Sequence, residues 1–287
     1  MNHRPYIWLL VPCLFILLAT VYIPILMTFG YSLYHYVLTE PSAIHFIGVG
    51  NYIQIFLDAN FHASLLNTLC ILILLLAGGI SLSIGTALIL KRRTKITPLL
   101  TALTIIPWAL PPLVNGILWK FIVLPGAGLL NILLLNLGVI ANPIAWTSNR
   151  WSLLCIVSFV VIWRSVPFGA ILILAALERI PQSYYDAIYL DGATPWQGFT
   201  RITLPLLKPA ILLLTVTLLT TAVDVFDEVI ALAGYTTTGQ PLAVYTYMTT
   251  FNFLDFGTGS AASYIMMLGT GLTGYFYIRF MKKVALR

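Results

Sequence analysis

Long uncharged runs alternate with short charged segments along this chain, and the runs are close to the length that a bilayer requires. A membrane-crossing helix needs about 20 apolar residues. The first run lies between Arg4 and Glu40, with an apolar core from Ile7 to Phe29. That core is too long for a signal peptide and lacks a small-residue cleavage site, which predicts a retained helix. The second lies between Asp58 and Lys91, with its core from Ser64 to Leu90, and the third between Lys95 and Lys120. A fourth starts near Trp151 and ends at Glu178, interrupted by Arg164. A fifth runs from about Pro209 to Leu232 and holds Asp224, Asp227 and Glu228; a sixth covers about Thr258 to Ile278. One further apolar stretch, Leu129 to Ile140, is only 12 residues long. That suits a re-entrant or an interfacial helix better than a crossing.

Charge orients these spans. Six crossings put Arg4, Lys91, Arg92, Arg93, Lys95, Arg179, Arg201, Lys208, Arg279, Lys282, Lys283 and Arg287 on one side. That is twelve of the 15 basic residues, and positively charged loops stay in the cytoplasm. A seventh crossing at 129–140 would break the bias. The expectation is therefore an all-α membrane protein, a single transmembrane domain over 1–287 with six transmembrane helices and both termini cytoplasmic. Composition agrees: 60% of residues are apolar and 8% charged, where soluble domains carry about a quarter charged residues. Neither a water-soluble globule nor a disordered chain fits. The net charge of +6 reads as membrane orientation and does not call for nucleic acid. Cys13, Cys70 and Cys155 have neither metal-ligand spacing nor the even count of a disulfide framework, and are expected to be small buried apolar residues. The four histidines, His3, His35, His45 and His62, form no metal pattern, and no catalytic constellation stands out.

The informative segment joins spans four and five, on the cytoplasmic side. Pro181 suits the first turn of a helix. The helix that follows presents Tyr184, Ala187 and Ile188 on one face. Asp191-Gly192 ends it, because glycine accepts the left-handed conformation of helix termini. Pro195 and Trp196 begin a second short helix, and Pro205, which has no backbone donor, marks the break before span five. Loop 181–205 is thus a compact helix-turn-helix, suited either to a partner's groove or to the membrane surface.

These residues also resemble a family. ABC importer permeases carry a cytoplasmic signature of Glu-Ala-Ala, three residues, Gly, nine residues, then Ile-x-Leu-Pro. This chain has Asp186-Ala187-Ile188, three residues, Gly192, nine residues, then Ile202-Thr203-Leu204-Pro205. Asp191-Gly192-Ala193 and the run from Ile202 to Pro209 narrow the resemblance to permeases of maltose/glycerol-phosphate-type carbohydrate importers. Gly48-Val49-Gly50-Asn51-Tyr52, Asn67-Thr68, Trp163-Arg164-x-x-Pro167-Phe168, Phe226-Asp227 and Asp255-Phe256-Gly257 agree with it. Where the family often has Thr-x-Gly-Gly-Pro after span five, this chain has Thr236-Thr237-Thr238-Gly239-Gln240-Pro241.

The resemblance implies a type I ABC importer permease fold, in a bacterial or archaeal plasma (inner) membrane. It implies docking to an ATPase through Tyr184, Asp186, Ala187, Ile188, Asp191, Gly192, Ala193, Ile202, Leu204 and Pro205. It further implies a second, homologous permease as heterodimer partner, two ATPase subunits and an extracytoplasmic solute-binding protein. The sequence contains no Gly-x-x-x-x-Gly-Lys-Ser/Thr loop. The chain is therefore expected to be a transport subunit that binds no cofactor, with ATP and Mg held by the partner ATPase.

Charges within the bilayer need partners or water, since each costs roughly 2.5–3.5 kcal/mol even on insertion scales. Arg164 lies ~20 Å along span four and Asp224 ~12 Å from the outer end of span five, at 1.5 Å per residue. Two readings follow. Arg164 and Asp224 form a structural ion pair, or Asp224, Asp227 and Glu228, at i, i+3 and i+4 on one helical face, bond solute hydroxyls. Carboxylates accept hydroxyl donors well, which favours a neutral or cationic sugar. Asn115, Trp119, Tyr235 and Tyr245 are further pathway candidates. Alternatives are the same architecture importing a polyamine or glycerol phosphate, and, more remotely, a non-transport membrane enzyme or an assembly subunit.

Overall fold

The computed structural model describes residues 10–92 and 94–285, and is helical apart from one short antiparallel pair. Arg4, Arg93 and Arg287 of the charge pattern, and His3, lie outside these residues. The helices are α1 (Val11–Ser32), α2 (Gly50–Leu57), α3 (Ala59–Lys91), α4 (Thr97–Ala109), α5 (Pro112–Val123), α6 (Leu129–Asn136) and α7 (Arg150–Leu177). They continue as α8 (Gln182–Leu190), α9 (Pro195–Leu206), α10 (Lys208–Val223), α11 (Asp227–Ala233), α12 (Leu242–Tyr247) and α13 (Phe256–Ala285). Strands β1 (Tyr34–His35) and β2 (His45–Phe46) pair Tyr34 with Phe46 and His35 with His45.

Among the described residues, α1, α3 and α7 are each long and apolar enough to cross a membrane; counting each bent pair of helices as one span raises the number to five. The third apolar run is not one straight span. It breaks between α4 and α5 with a 101° bend, because Pro111 and Pro112 withhold two consecutive donors and Leu110 is driven to an extended ψ of 131°. The sixth run lies in α13, which has 30 residues but too many glycines, serines and threonines to count as an apolar span. Small residues of this kind let membrane helices approach closely.

Two proline sites show how the long helices absorb a missing donor. The ring of Pro24 opposes the carbonyl four residues back, at Thr20, and that of Pro205 opposes Arg201. A π turn surrounds each of these carbonyls, at Leu18–Tyr22 and Phe199–Thr203. Pro205 therefore lies inside α9 and does not break the chain. The break falls at Leu207, where α9 and α10 meet at 66°, with Pro209 in the first turn of α10.

Over the described residues the chain forms two compact units. One is the chain up to His62 together with Tyr245–Leu268; the other is Ala63–Val244 together with the chain from Gly269 onward. In the first, Asn51 Nδ2 donates to the Ser32 and Tyr34 carbonyls, both at 2.8 Å, tying α2 to the end of α1. The second is built around α7, with Leu153, Leu154, Val157, Val160, Val161, Ile173 and Leu177 buried. Ile173 and Leu177 share a core with Ala87 of α3 and with Leu207, Leu214 and Leu218. Lipid is as apolar as these side chains, so close packing rather than water exclusion holds them. The same physics corrects the cysteines: Cys13 and Cys155 are exposed and Cys70 half-buried.

Helix α6, with 8 residues, is ~12 Å long at 1.5 Å per residue and does not cross. Asn131 anchors it. Its Nδ2 donates to the Leu124, Pro125 and Ile144 carbonyls at 3.0–3.3 Å, and its Oδ1 accepts from Ile144 N and Trp146 Nε1. Asn131→Ala leaves these donors unmet and is expected to cost about 2 kcal/mol. Thermal unfolding in detergent measures this; an unchanged midpoint contradicts the anchoring role.

Candidate functional site

In the second unit, α7 carries Arg164 against α11. Arg164 Nε donates to Glu228 Oε1 at 3.0 Å, and Nη2 lies 2.9 Å from the same oxygen. Glu228 is 2% exposed. The expected Arg164–Asp224 pair is not formed. The reason is a break in the helix: α10 ends at Val223, residues 224–226 are non-helical with Phe226 at φ −134° and ψ −61°, and α11 restarts at Asp227. The i, i+3, i+4 relation assumed an unbroken helix, so the three acids do not share a face. Glu228 turns inward to Arg164, Asp227 is half-buried and Asp224 is exposed.

Helix α5 supports this arrangement. It packs on α11 through Gly116, where a Cβ would stand 2.5 Å from the Ala231 Cβ and 3.0 Å from the Glu228 Cα. One residue earlier, Asn115 is fully buried; its Nδ2 donates to the Val160 carbonyl of α7 at 3.3 Å, while its Oδ1 has no partner among the described residues. One turn on, Trp119 packs edge-on against Phe159 and Trp163, with ring centroids 5.0 and 5.5 Å away. Asn115, Trp119, Arg164 and Glu228 thus belong to three helices that pack together, α5, α7 and α11.

Tyr235 is half exposed. Tyr245, in the first unit, donates from Oη to Asp58 Oδ2 at 2.6 Å and packs on Phe61. Burial, reinforced by the bond to Asp58, pushes its phenol well above the usual tyrosine range, so it stays a proton donor. A polar knot in the second unit escaped the sequence reading. Arg150 Nε donates to Asn67 Oδ1 at 2.8 Å, Asn67 Nδ2 donates to the Gln240 carbonyl at 2.8 Å, and Leu242 N donates to Thr68 Oγ1 at 2.9 Å. The adjacent polar pair Asn67-Thr68 within an apolar run was its signal.

The loop between α7 and α10 forms a second site. Helix α8 ends in a Schellman arrangement: Gly192, at φ +79°, donates to the Tyr189 carbonyl, and Ala193 N donates to that of Ile188, both at 3.1 Å. Helix α9 starts with a capping box, in which Thr194 Oγ1 accepts from Gln197 N and Gln197 Oε1 from Thr194 N. Tyr184, Asp186, Ala187, Asp191 and Gly192 are exposed; Ile188, Ala193 and Ile202 are half-buried; Leu204 and Pro205 are exposed. Leu190 is 88% and Trp196 70% exposed. No group of three or more His, Cys, Asp or Glu side chains suited to a metal occurs among the described residues.

Residues 79–285 match the family model of the binding-protein-dependent transport system inner membrane component, and the chain belongs to that family. It is 32% identical over 259 residues to the trehalose/maltose transport system permease protein MalF of Thermococcus litoralis, covering 89% of this chain and 86% of the relative. It is 31% identical over 277 residues to the sulfoquinovosyl glycerol transport system permease protein SmoG of Agrobacterium fabrum, covering 96% and 89%. Its fold matches a chain of a bacterial alginate ABC transporter crystallised with an alginate pentasaccharide-bound periplasmic protein. The TM-score is 0.82 at 22% identity, covering 96% of this chain and 93% of that one. The chain is thus a multi-pass inner-membrane transport subunit and not an enzyme.

Breaking a buried ion pair by removing one partner costs about 3–5 kcal/mol. Glu228→Gln is therefore expected to lower the unfolding midpoint in detergent strongly, and Asp224→Asn to leave it unchanged. The reverse order of effects contradicts the pairing.

Proposed function

We propose that this chain forms half of the translocation pathway of an ATP-driven, binding-protein-dependent sugar importer. A second, homologous permease forms the other half. Two cytoplasmic ATPase subunits hold ATP and Mg, and an extracytoplasmic binding protein delivers the solute. The observation that carries this reading is the exposed helix-turn-helix of loop 181–205, capped at Gly192 and Thr194. Tyr184, Asp186, Ala187, Ile188, Asp191, Gly192 and Ala193 dock in a groove of one ATPase; Ile202, Leu204 and Pro205 carry its displacement into α10. The nucleotide cycle then biases a two-state membrane element.

Both units belong to one transmembrane domain with six crossings: α1, α3, the α4–α5 pair, α7, α10 with α11, and α13. Lys91, Arg92, Lys95, Arg179, Arg201, Lys208 and Arg279 then share the cytoplasmic face, together with both termini. Helix α1 buries only Ser32 among the described residues, which supports cover by lipid and the second permease.

With Glu228 committed to Arg164, Asp224 and Asp227 are the acids left to meet solute, beside Asn115 and Trp119. Two carboxylates favour a neutral or cationic sugar with hydroxyl donors. ATPase activity of the reconstituted complex, with the binding protein loaded from a panel of sugars, a polyamine and glycerol phosphate, tests this. Stimulation by one neutral or cationic sugar is the expected result; a response only to the polyamine or to glycerol phosphate overturns the solute class. Gly192→Pro is expected to leave membrane insertion intact while abolishing both co-purification of the ATPase and uptake. Normal uptake by that variant sinks the docking reading.

A further inference from the structure

A cleft of about 690 Å³ opens between the end of α3 and the helices α8 and α9. It is lined by Leu88, one turn before the end of the membrane-crossing α3, by Tyr185, Trp196 and Phe199, and by Lys91 and Arg92. Tyr185 is fixed by a 2.8 Å hydrogen bond between its Oη and Thr203 Oγ1. Trp196 stacks on Phe199 with centroids 5.6 Å apart and planes 28° apart. Lys91 Nζ sits 5.0 Å over the Tyr185 ring. Among the described residues, no carboxylate lines the cleft. Lys91 thus stands over the Tyr185 ring, with Arg92 beside it in the same lining.

The cleft brings apolar, aromatic and cationic side chains together. It lies where α3 ends, which on the proposed topology is the inner membrane–water boundary. Aromatic side chains settle at that level, and the inner leaflet's anionic lipids attract basic side chains next to it. We propose that the cleft binds one acidic phospholipid of the inner leaflet. Its phosphate lies against Lys91 and Arg92, and its glycerol and upper acyl chain lie along Tyr185, Trp196 and Leu88. The lipid bridges the end of α3 to the docking helix-turn-helix, so the charge of the membrane enters the coupling between ATPase and pathway. This rests on the cytoplasmic reading of loop 181–205.

The test is native mass spectrometry of the complete complex released from vesicles of equal phosphatidylcholine and phosphatidylglycerol. Wild type is expected to retain phosphatidylglycerol in preference to phosphatidylcholine. Arg92→Gln and Lys91→Gln are each expected to lower that preference about fivefold, the factor of one basic residue at an anionic surface. Arg92 is exposed, so its variant is not at risk of misfolding. Added inorganic phosphate should leave the lipid in place; displacement by it would show a free-anion site and overturn the proposal. Equal retention of both lipids, or no change in the variants, overturns it too. Loss of the ATPase subunits from Arg92→Gln with lipid retention unchanged assigns the cleft to protein docking instead. Failure of the wild-type permease to hold the ATPase refutes the docking reading, while the lipid preference is still scored on the permease itself.

Discussion

A guanidinium within a bilayer has to be met by a carboxylate or by water, and much of the second unit is arranged around meeting that of Arg164. Arg164 stands midway along α7, the helix on which α3, α4, α10 and α11 all pack. To bring Glu228 within 3.0 Å, the fifth run gives up helical continuity between Val223 and Asp227. The short α11 then needs its own bed, which Gly116 of α5 supplies by leaving no Cβ in the way. Helix α5 reaches that position through the 101° bend at Leu110–Pro112. Two breaks that would weaken an isolated helix thus serve one buried contact, and the surrounding helices re-satisfy the backbone groups they free.

The same arrangement separates the acids by role. Glu228 is neutralised in place and holds helices together, whereas Asp224 and Asp227 keep their access. A polar knot performs a comparable holding task elsewhere in the second unit: Asn67, Thr68 and Arg150 fasten the stretch that leads from α11 to α12 through its backbone at Gln240 and Leu242.

The parts legible in the sequence were those fixed by local chemistry. Gly192 at the end of α8 and Pro195 at the start of α9 act within a few residues, so the helix-turn-helix could be read directly. The apolar runs of α1, α3 and α7 needed only length. What escaped the sequence were non-local outcomes. Counting i, i+3, i+4 through Asp224 presumed a helix that tertiary pairing interrupts. Pro205 read as a break because sequence alone gives no sign that a π turn will absorb its missing donor, and the Pro111-Pro112 step hid a 101° bend inside an apolar run. Cysteines read as buried turned outward, since apolar composition does not tell core from lipid-facing surface in a membrane protein.

Arg164 and Glu228 stabilise the second unit only as a pair. A double-mutant cycle with Arg164→Met and Glu228→Met, read as unfolding free energy in mixed micelles, tests this most directly. Each single variant should be strongly destabilised by its orphaned charge, and the double variant should recover most of the loss, with a coupling of about 2 kcal/mol or more. Two single losses that simply add in the double variant would contradict the pair and, with it, the physical reason for the break in the fifth span.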